Sequence, residues 1–178
     1  MYITLRKAYA FGIFTNPANH PYLRHINNSF VNPTQNKIHG YPAFVSLTKL
    51  KKQLKINAQS VFSDLAGGSH GHLGLVLAPE EYALVSQTPY DFPAHPGEFT
   101  LQRNTASDEA MIHWETYYEH LRTCREAVKV QKALIKQIIA AVEDQFLEEF
   151  LDYIIKDMTR AIQEILTYLF DNFLTSDQ

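Results

Sequence analysis

Two histidines in a glycine-rich stretch are the first residues in this sequence that could do chemistry. They lie in a run that holds four of the seven glycines, Gly67-Gly68-Ser69-His70-Gly71-His72-Leu73-Gly74-Leu75-Val76-Leu77. A metal site would need further ligands, for which the candidates are His95, His113 and His120. Histidines two positions apart chelate poorly from a helix and only moderately well from a strand. We therefore expect turn or packing histidines and no metal, with a metal-dependent enzyme as an open alternative.

The other candidates for covalent or acid–base chemistry are weak. The single cysteine, Cys124, follows a helical pattern beside Arg125, which indicates a buried or half-buried helical side chain rather than a nucleophile. Carboxylates such as Asp144 and Glu148 are ordinary neighbours on a helix surface. The glycine run lacks the Lys-Ser/Thr of a phosphate loop. We expect no catalytic residue, no cofactor and no small-molecule substrate, so the protein is predicted not to be an enzyme.

Charge is distributed unevenly along the chain. Residues 1–63 contain half of the 16 lysines and arginines and no acidic residue, whereas residues 64–178 contain the other half and all 19 acidic residues. The two parts carry +8 and −11, which gives the net charge of −3. This split indicates either a polyanion partner for the basic part or head-to-tail attraction between copies. Two oppositely charged faces of one monomer are the alternative.

One predicted helix concentrates lysines. From Leu47 to Val61, apolar residues recur at helical spacing, and Ser46 is the expected N-cap. Four lysines lie mostly off the apolar stripe, at Lys49, Lys51, Lys52 and Lys55. They predict either a solvated helix surface or a contact with RNA or with an acidic neighbour. Gly67-Gly68 is expected to end this helix, because glycine adopts the left-handed conformation of a C-terminal cap.

The remaining pattern predicts a mainly α-helical protein. After the glycine run, Pro79 should begin a helix. A Pro-rich connection at 88–104 precedes a long helical pattern over 107–142, which we expect to bend or break near 124–130. Two further helices are predicted at 146–155 and 161–173. The side chains expected to be buried include Leu73, Leu75, Val76, Leu77, Tyr82, Leu84, Val85, Met111, Trp114, Tyr118, Leu121, Val128, Ile135, Ile138 and Val142.

The N-terminal part of the chain predicts an irregular basic arm. Residues 1–37 are rich in Asn and Pro, which favour turns, and residues 38–178 are predicted to form one helical domain. The apolar stretch after Lys7 is short and interrupted by Asn16-Pro17, so we do not interpret it as a secretory signal. No apolar run approaches the roughly 20 residues that span a bilayer, so no membrane contact is expected. Together with the single cysteine, these features predict a cytoplasmic protein.

An ordered set of short segments resembles a known family. The segments are Ile38-His39-Gly40-Tyr41-Pro42, Asn57-Ala58-Gln59-Ser60-Val61, Gly67 to Leu77, Tyr82, Thr88-Pro89-Tyr90, His95-Pro96-Gly97, Ala133 to Val142 and Glu164-Ile165-Leu166-Thr167-Tyr168-Leu169-Phe170. Together they resemble the Gag region of Ty1/copia-type LTR retrotransposons. The similarity extends from residue 38 to residue 174.

The resemblance implies a helical bundle of the capsid-domain type with a long Pro-rich loop. Such a protein assembles with copies of itself into virus-like particles and packages the element's RNA, and the family offers no catalytic residue to carry over. The four lysines are then the expected RNA or neighbour contacts, and the glycine run is the family-motif turn. The chain has no zinc knuckle and stops at Gln178, just after the last matching helix, as a fragment or a degenerate copy would. The alternative function is a monomeric helical adaptor that binds another protein through the aromatic loop at 88–99.

Overall fold

The computed structural model describes residues 29–100, 107–152, 157–158 and 160–173. The described chain is mainly helical, as predicted, with four α-helices: α1 at Phe44–Ser60, α2 at Pro79–Ala83, α3 at Ser107–Ala141 and α4 at Ile162–Phe173. Short 3₁₀ turns lie at Leu65–Gly67, Leu73–Leu75 and Asp144–Phe146. Two short strands, β1 at Leu151–Asp152 and β2 at Asp157–Met158, pair antiparallel with Leu151 opposite Met158.

Three helices build the core because each carries an apolar stripe at helical spacing. In α1 the stripe predicted from the sequence is buried, namely Leu47, Leu50, Leu54 and Ala58. In α4 the buried side chains are Ile162, Ile165, Leu166 and Leu169. Both helices contact each other and α3, whose second half adds Val130, Leu134 and Ile138 to the same cluster. Removing these apolar surfaces from water is the main stabilising contribution to the fold.

α3 differs from the prediction in continuity and in burial. It runs as one helix of 35 residues, so the expected break near 124–130 does not occur. Ile135, Ile138 and Val142 are buried as predicted, and so is Cys124, whereas Val128 is only half-buried. Met111 and Trp114, which were expected in the core, are exposed. The core cluster includes side chains of α3 only from Val130 onward, so the same apolar stripe has no core to pack against in the first turns.

The ends of α1 also differ from the prediction. Its N-cap is Ala43, without a side-chain cap, and not Ser46. α1 ends at Ser60, and Gly67-Gly68 instead close the following 3₁₀ turn with φ of +82° and +80°. The reason is tertiary, because the N–H of His72 donates to the carbonyl of Ala58 at 2.9 Å. A later segment of the chain therefore bonds to a carbonyl in the last turn of α1, where the sequence predicted a glycine cap.

α2 begins at Pro79 as predicted, but the predicted burial of Leu84 and Val85 and the prediction of a helix from residue 146 are wrong. α2 is a single turn that ends at Ala83, so Tyr82 is buried while Leu84 is 87% and Val85 47% exposed. Over 146–152, the described part of the predicted helix at 146–155, the chain instead forms the end of a 3₁₀ turn, further turns and β1. Turn-type bonds from the N–H of each residue to the carbonyl three positions earlier still place Leu147 and Phe150 in the core. Apolar residues three positions apart can therefore be buried when the backbone forms turns, as they can in a helix.

The described part of the predicted N-terminal arm packs on the helices. Residues 1–28 lie outside the described range, but Phe30 is part of the core cluster. Asn32 exchanges two hydrogen bonds of 2.8 Å with buried Asn57 of α1, and its carbonyl accepts a third from Gln137 of α3 at 3.1 Å. The N–H of Ile38 donates to the last carbonyl of α3 at 2.7 Å. Residues 30–38 are therefore held against α1 and α3, and the domain boundary after residue 37 stays a prediction.

Candidate functional site

The glycine-rich segment 67–77 is a packed turn against the end of α1. Gly71 has φ of +52°, and a Cβ built on it would lie 2.7 Å from the carbonyl oxygen of Gln59 and 2.9 Å from that of Ala58. No real Cβ approaches backbone atoms so closely, and a positive φ is itself unfavourable for residues with a side chain. Glycine at position 71 is therefore what allows the segment to reach α1.

The same segment connects two other parts of the fold. A Cβ on Gly74 would lie 2.7 Å from Cδ1 of Tyr90, so the absence of a side chain makes room for this ring. From α4, Nε2 of Gln163 donates to the carbonyl oxygens of Gly74 and Leu77 at 2.7 and 2.6 Å. The side chains predicted to be buried here are buried, namely Leu73, Leu75, Val76 and Leu77. The segment thus joins α1, α4 and the Pro-rich connection.

The two histidines of the segment contact different tyrosines. His72 is 1% exposed, and its Nδ1 lies 3.0 Å from the hydroxyl of Tyr90, an arrangement in which either group can donate. Burial lowers the pKa of His72 to about 4, so the ring is neutral at pH 7. Burial, with the nearby Tyr82 as a smaller cause, raises the pKa of Tyr90. His70 instead packs edge-on against Tyr82, with ring centroids 6.3 Å apart.

A metal centre would require more ligands than this segment brings together. Within the described ranges, no group of three or more His, Cys, Asp or Glu side chains is placed to hold an ion. His95, one of the candidate ligands, accepts a hydrogen bond from the N–H of Gly97 at 3.1 Å through Nδ1. His72 keeps a buried Nε2 without a hydrogen-bond partner among the described residues. His70 and His72 therefore make the contacts of packing side chains, with Tyr82 and Tyr90 respectively.

The four predicted lysines line two neighbouring grooves along α1, and Lys52 lines both. The first, which we call the polar groove, has a volume of about 570 Å³. Its lining includes Lys37, His39, Tyr41, Lys49, Lys52 and Gln53, and none of its described lining residues is acidic. Lys37, Lys49 and Lys52 form no ion pair with any described residue. The polar groove is therefore a site of uncompensated positive charge.

The second groove, which we call the apolar groove, has a volume of about 670 Å³ and lies between α1, the residues after α2, and α4. Its apolar lining consists of Phe44, Ile56, Leu73, Leu77, Val85 and Phe170. Lys51, Lys52 and Lys55 also line it. Lys51 is paired with Glu81 at 3.0 Å and lies 6.0 Å from the ring centroid of Phe170, whereas Lys55 has no ion-pair partner among the described residues. This groove combines an apolar surface with positive charge.

Sequence reasoning found the lysines of α1 but missed most of their surroundings. Lys37 and Tyr41 both lie in the acid-free first part of the chain, and Tyr41 also lies in a family-like segment, so a signal for them existed. Phe44, Val85 and Phe170 come from three elements that are far apart in sequence. No pattern within one element indicates that they share a groove.

The described part of the Pro-rich connection, residues 88–100, contacts the rest of the protein near Tyr90 and near Phe99. Tyr90 bonds to His72, and Phe99 packs against Trp114 and Tyr117 with centroid distances of 4.8 and 5.1 Å. The hydroxyl of Tyr117 donates to the carbonyl of Gly97 at 3.0 Å. Residues 90–99 are therefore held against the surface of the protein by these contacts.

In the described part of the chain, no helix has both the length and the apolar character needed to cross a membrane. No protein-family model, no curated protein and no solved structure matches this chain.

Proposed function

We propose that this chain is a Gag-like structural protein of a Ty1/copia-type retrotransposon. It assembles with copies of itself in the cytoplasm and packages the element's RNA, without catalysis and without a cofactor. The ordered family-like segments between residues 38 and 174 motivate the proposal, and a mainly helical fold is compatible with a capsid-type bundle. The observation that carries it is the polar groove, where three lysines without ion-pair partners among the described residues face an acid-free lining.

The chemistry of the polar groove suits single-stranded RNA. Lys37, Lys49 and Lys52 can contact phosphates, which releases counterions and favours binding. Tyr41 is half exposed and offers an aromatic ring on which a base can stack, while Gln53 supplies an amide for hydrogen bonds. Recognition of single strands commonly combines such charges with aromatic rings.

Salt dependence provides a quantitative test of this groove. Three phosphate contacts to a single strand predict that log K falls with log salt with a slope of about −2. The double variant Lys37→Gln/Lys49→Gln should retain one contact and a slope of about −0.7. Fluorescence anisotropy of a labelled single-stranded RNA, titrated with the full chain at several salt concentrations, measures both slopes.

A matched control removes the same charge elsewhere. Lys132 and Lys136 are exposed on α3 and line neither groove, so Lys132→Gln/Lys136→Gln should leave the slope unchanged. Equal losses in the two double variants would mean that net charge, and not this groove, determines binding. Flat salt dependence in the unmodified chain would contradict RNA binding by electrostatic contact.

Assembly needs its own measurement. Light scattering and electron microscopy of the full chain, with and without RNA, should show species much larger than a monomer as the concentration rises. A strictly monomeric chain under all these conditions would contradict the proposal. It would favour the monomeric adaptor that binds through the loop at 88–99, where Phe92 is exposed.

A further inference from the structure

We infer that the apolar groove of one copy binds the first half of α3 from a second copy, an inference that rests on the proposed assembly function. The contact joins two different surfaces of the same chain. Each surface is incomplete in the monomer, because each exposes apolar side chains beside charges that lack a partner of opposite sign among the described residues.

The groove presents apolar side chains bordered by positive charge. Phe44 and Val85 are about half exposed, and Phe44 packs edge-on against Phe170 with centroids 6.0 Å apart. Lys52 and Lys55 lie one turn apart on α1, and neither forms an ion pair with a described residue. An occupant that satisfies this groove must be apolar at its centre and negative at its edges.

The first half of α3 has this composition on one face. Met111 and Ile112 are 63% and 62% exposed. Asp108 lies four positions before Ile112 and Glu115 three positions after it, so both carboxylates share the face of Ile112. We call these four residues the acidic face. Residues 107–119 contain no lysine or arginine.

The aromatic side chains on the same half of the helix are already used within the chain. Trp114 and Tyr117 contact Phe99 of the Pro-rich connection. These residues point away from Ile112 on a helical wheel, since they lie about 160° and 140° from it at 100° per residue. The acidic face is therefore left exposed, while the opposite side is partly covered by the contacts with Phe99.

The occupant is another copy, because the acidic face cannot reach the groove of its own chain. α3 is continuous to Ala141, and its second half is fixed between α1 and α4 by fully buried side chains such as Leu134 and Ile138. The first half cannot fold back without breaking the helix or leaving the core. An amphipathic helix in a hydrophobic groove is a common mode of recognition, with anchors three or four positions apart.

The contact is heterologous and therefore directional. A surface that binds a different surface of the next copy produces a ring when the rotation closes and a filament when it does not. The groove lysines come from the acid-free first part of the sequence, and the acidic face comes from the acidic remainder. The charge split along the chain thus becomes an attraction between neighbours.

Mixing two defective variants tests this directionality. The groove variant is Lys52→Glu/Lys55→Glu, and the face variant is Met111→Ser/Ile112→Ser. All four positions are on the surface or at its edge, and circular dichroism checks that each variant retains its helix content. Sedimentation velocity of each full chain at low salt should show association weakened on the order of tenfold or more, because each variant lacks one of the two surfaces.

The mixture should behave differently from either variant alone. The groove variant keeps its acidic face, and the face variant keeps its groove, so an equimolar mixture should form a one-to-one dimer that does not grow further. As a second test, a single chain with Lys52→Glu, Lys55→Glu, Asp108→Lys and Glu115→Lys should regain assembly because both surfaces reverse sign. The charge-matched control Lys132→Glu/Lys136→Glu should assemble like the unmodified chain.

The outcomes separate this inference from the proposed function. If the groove variant assembles normally, or the mixture stays monomeric, the inference is wrong while assembly of the unmodified chain still supports the proposed function. If the groove variant assembles normally and loses only RNA binding, the inference is again wrong, and the loss is the one expected from Lys52 in the polar groove. If the unmodified chain never assembles, both are wrong.

Discussion

The two halves of α3, before and after Leu121, carry similar apolar patterns but differ in burial. From Leu121 onward, side chains at helical spacing are buried in the protein, and Leu134 and Ile138 have no exposed surface. Before Leu121, the same helix leaves Met111 and Ile112 more than half exposed. The difference lies in what surrounds each half, since α1 and α4 pack against the second half and the aromatic connection covers only one side of the first. Periodicity alone therefore does not distinguish a core stripe from a surface that can bind a partner.

This contrast has an energetic meaning. Apolar surface contributes about 25 cal/mol per Å² when it is removed from water, so the second half stabilises the monomer. The exposed surface of the first half contributes to stability only when another molecule covers it. Substitutions in the interior should therefore change the free energy of unfolding, and substitutions in the first half should change association.

The largest expected effect is in the interior turn that contacts the end of α1. Gly71→Ala should lower the free energy of unfolding by about 4 kcal/mol, because a Cβ would overlap backbone carbonyls at a positive φ. Gly97 also has a positive φ but no heavy atom within 4 Å of the added Cβ. As the matched control, Gly97→Ala should cost only about 1 kcal/mol. Denaturant unfolding measures both, and similar costs would show that backbone conformation alone matters at position 71.

Direct comparison of the two halves gives the next largest effect. Leu134→Ala creates a cavity among fully buried side chains and should cost about 3 kcal/mol. Ile112→Ala removes an exposed side chain and should cost less than about 0.5 kcal/mol in the monomer. Thermal or denaturant unfolding below the concentration of assembly measures these values. A large cost for Ile112→Ala would place the first half of α3 in the core and remove the contrast.

A smaller effect depends on pH and tests the buried histidine of the interior. His72 has a folded pKa of about 4, below the usual unfolded value near 6.5. Between these values the unfolded chain binds a proton that the folded chain does not, so stability falls as the pH is lowered from 6.5 towards 4. The loss attributable to His72 should be about 2 kcal/mol at pH 5.

Substitution of His72 isolates this contribution. The profile of His72→Gln, normalised to its own stability at pH 7.5, should be flatter than that of the unmodified chain between pH 6.5 and 5. Denaturant unfolding at each pH measures both profiles. Parallel profiles would show that His72 is protonated equally in the folded and unfolded chains, and that burial does not lower its pKa.

The candidate surface was only partly predictable. Lys49, Lys51, Lys52 and Lys55 stand out from the sequence because four like charges recur beside one apolar stripe. Which groove each lysine lines depends on the residues packed beside α1. Tyr41 contributes to the polar groove, and residues after α2 and in α4 contribute to the apolar groove. The pairing of Lys51 with Glu81 depends on where α2 lies against α1, and the spacing of the lysines contains no information on that.

The sequence by itself determined the mainly helical class, the buried stripes of α1 and α4, and the burial of residues 73–77. These features follow from helical periodicity and from local runs of apolar residues, which a single element specifies. Only the tertiary structure decided that α1 ends at Ser60, that residues 146–150 form turns, and that the first half of α3 stays exposed. The physical reason is that a side chain is buried, or a helix end capped, only by contact with a second segment of the chain. The packing of the whole chain determines which segment makes that contact.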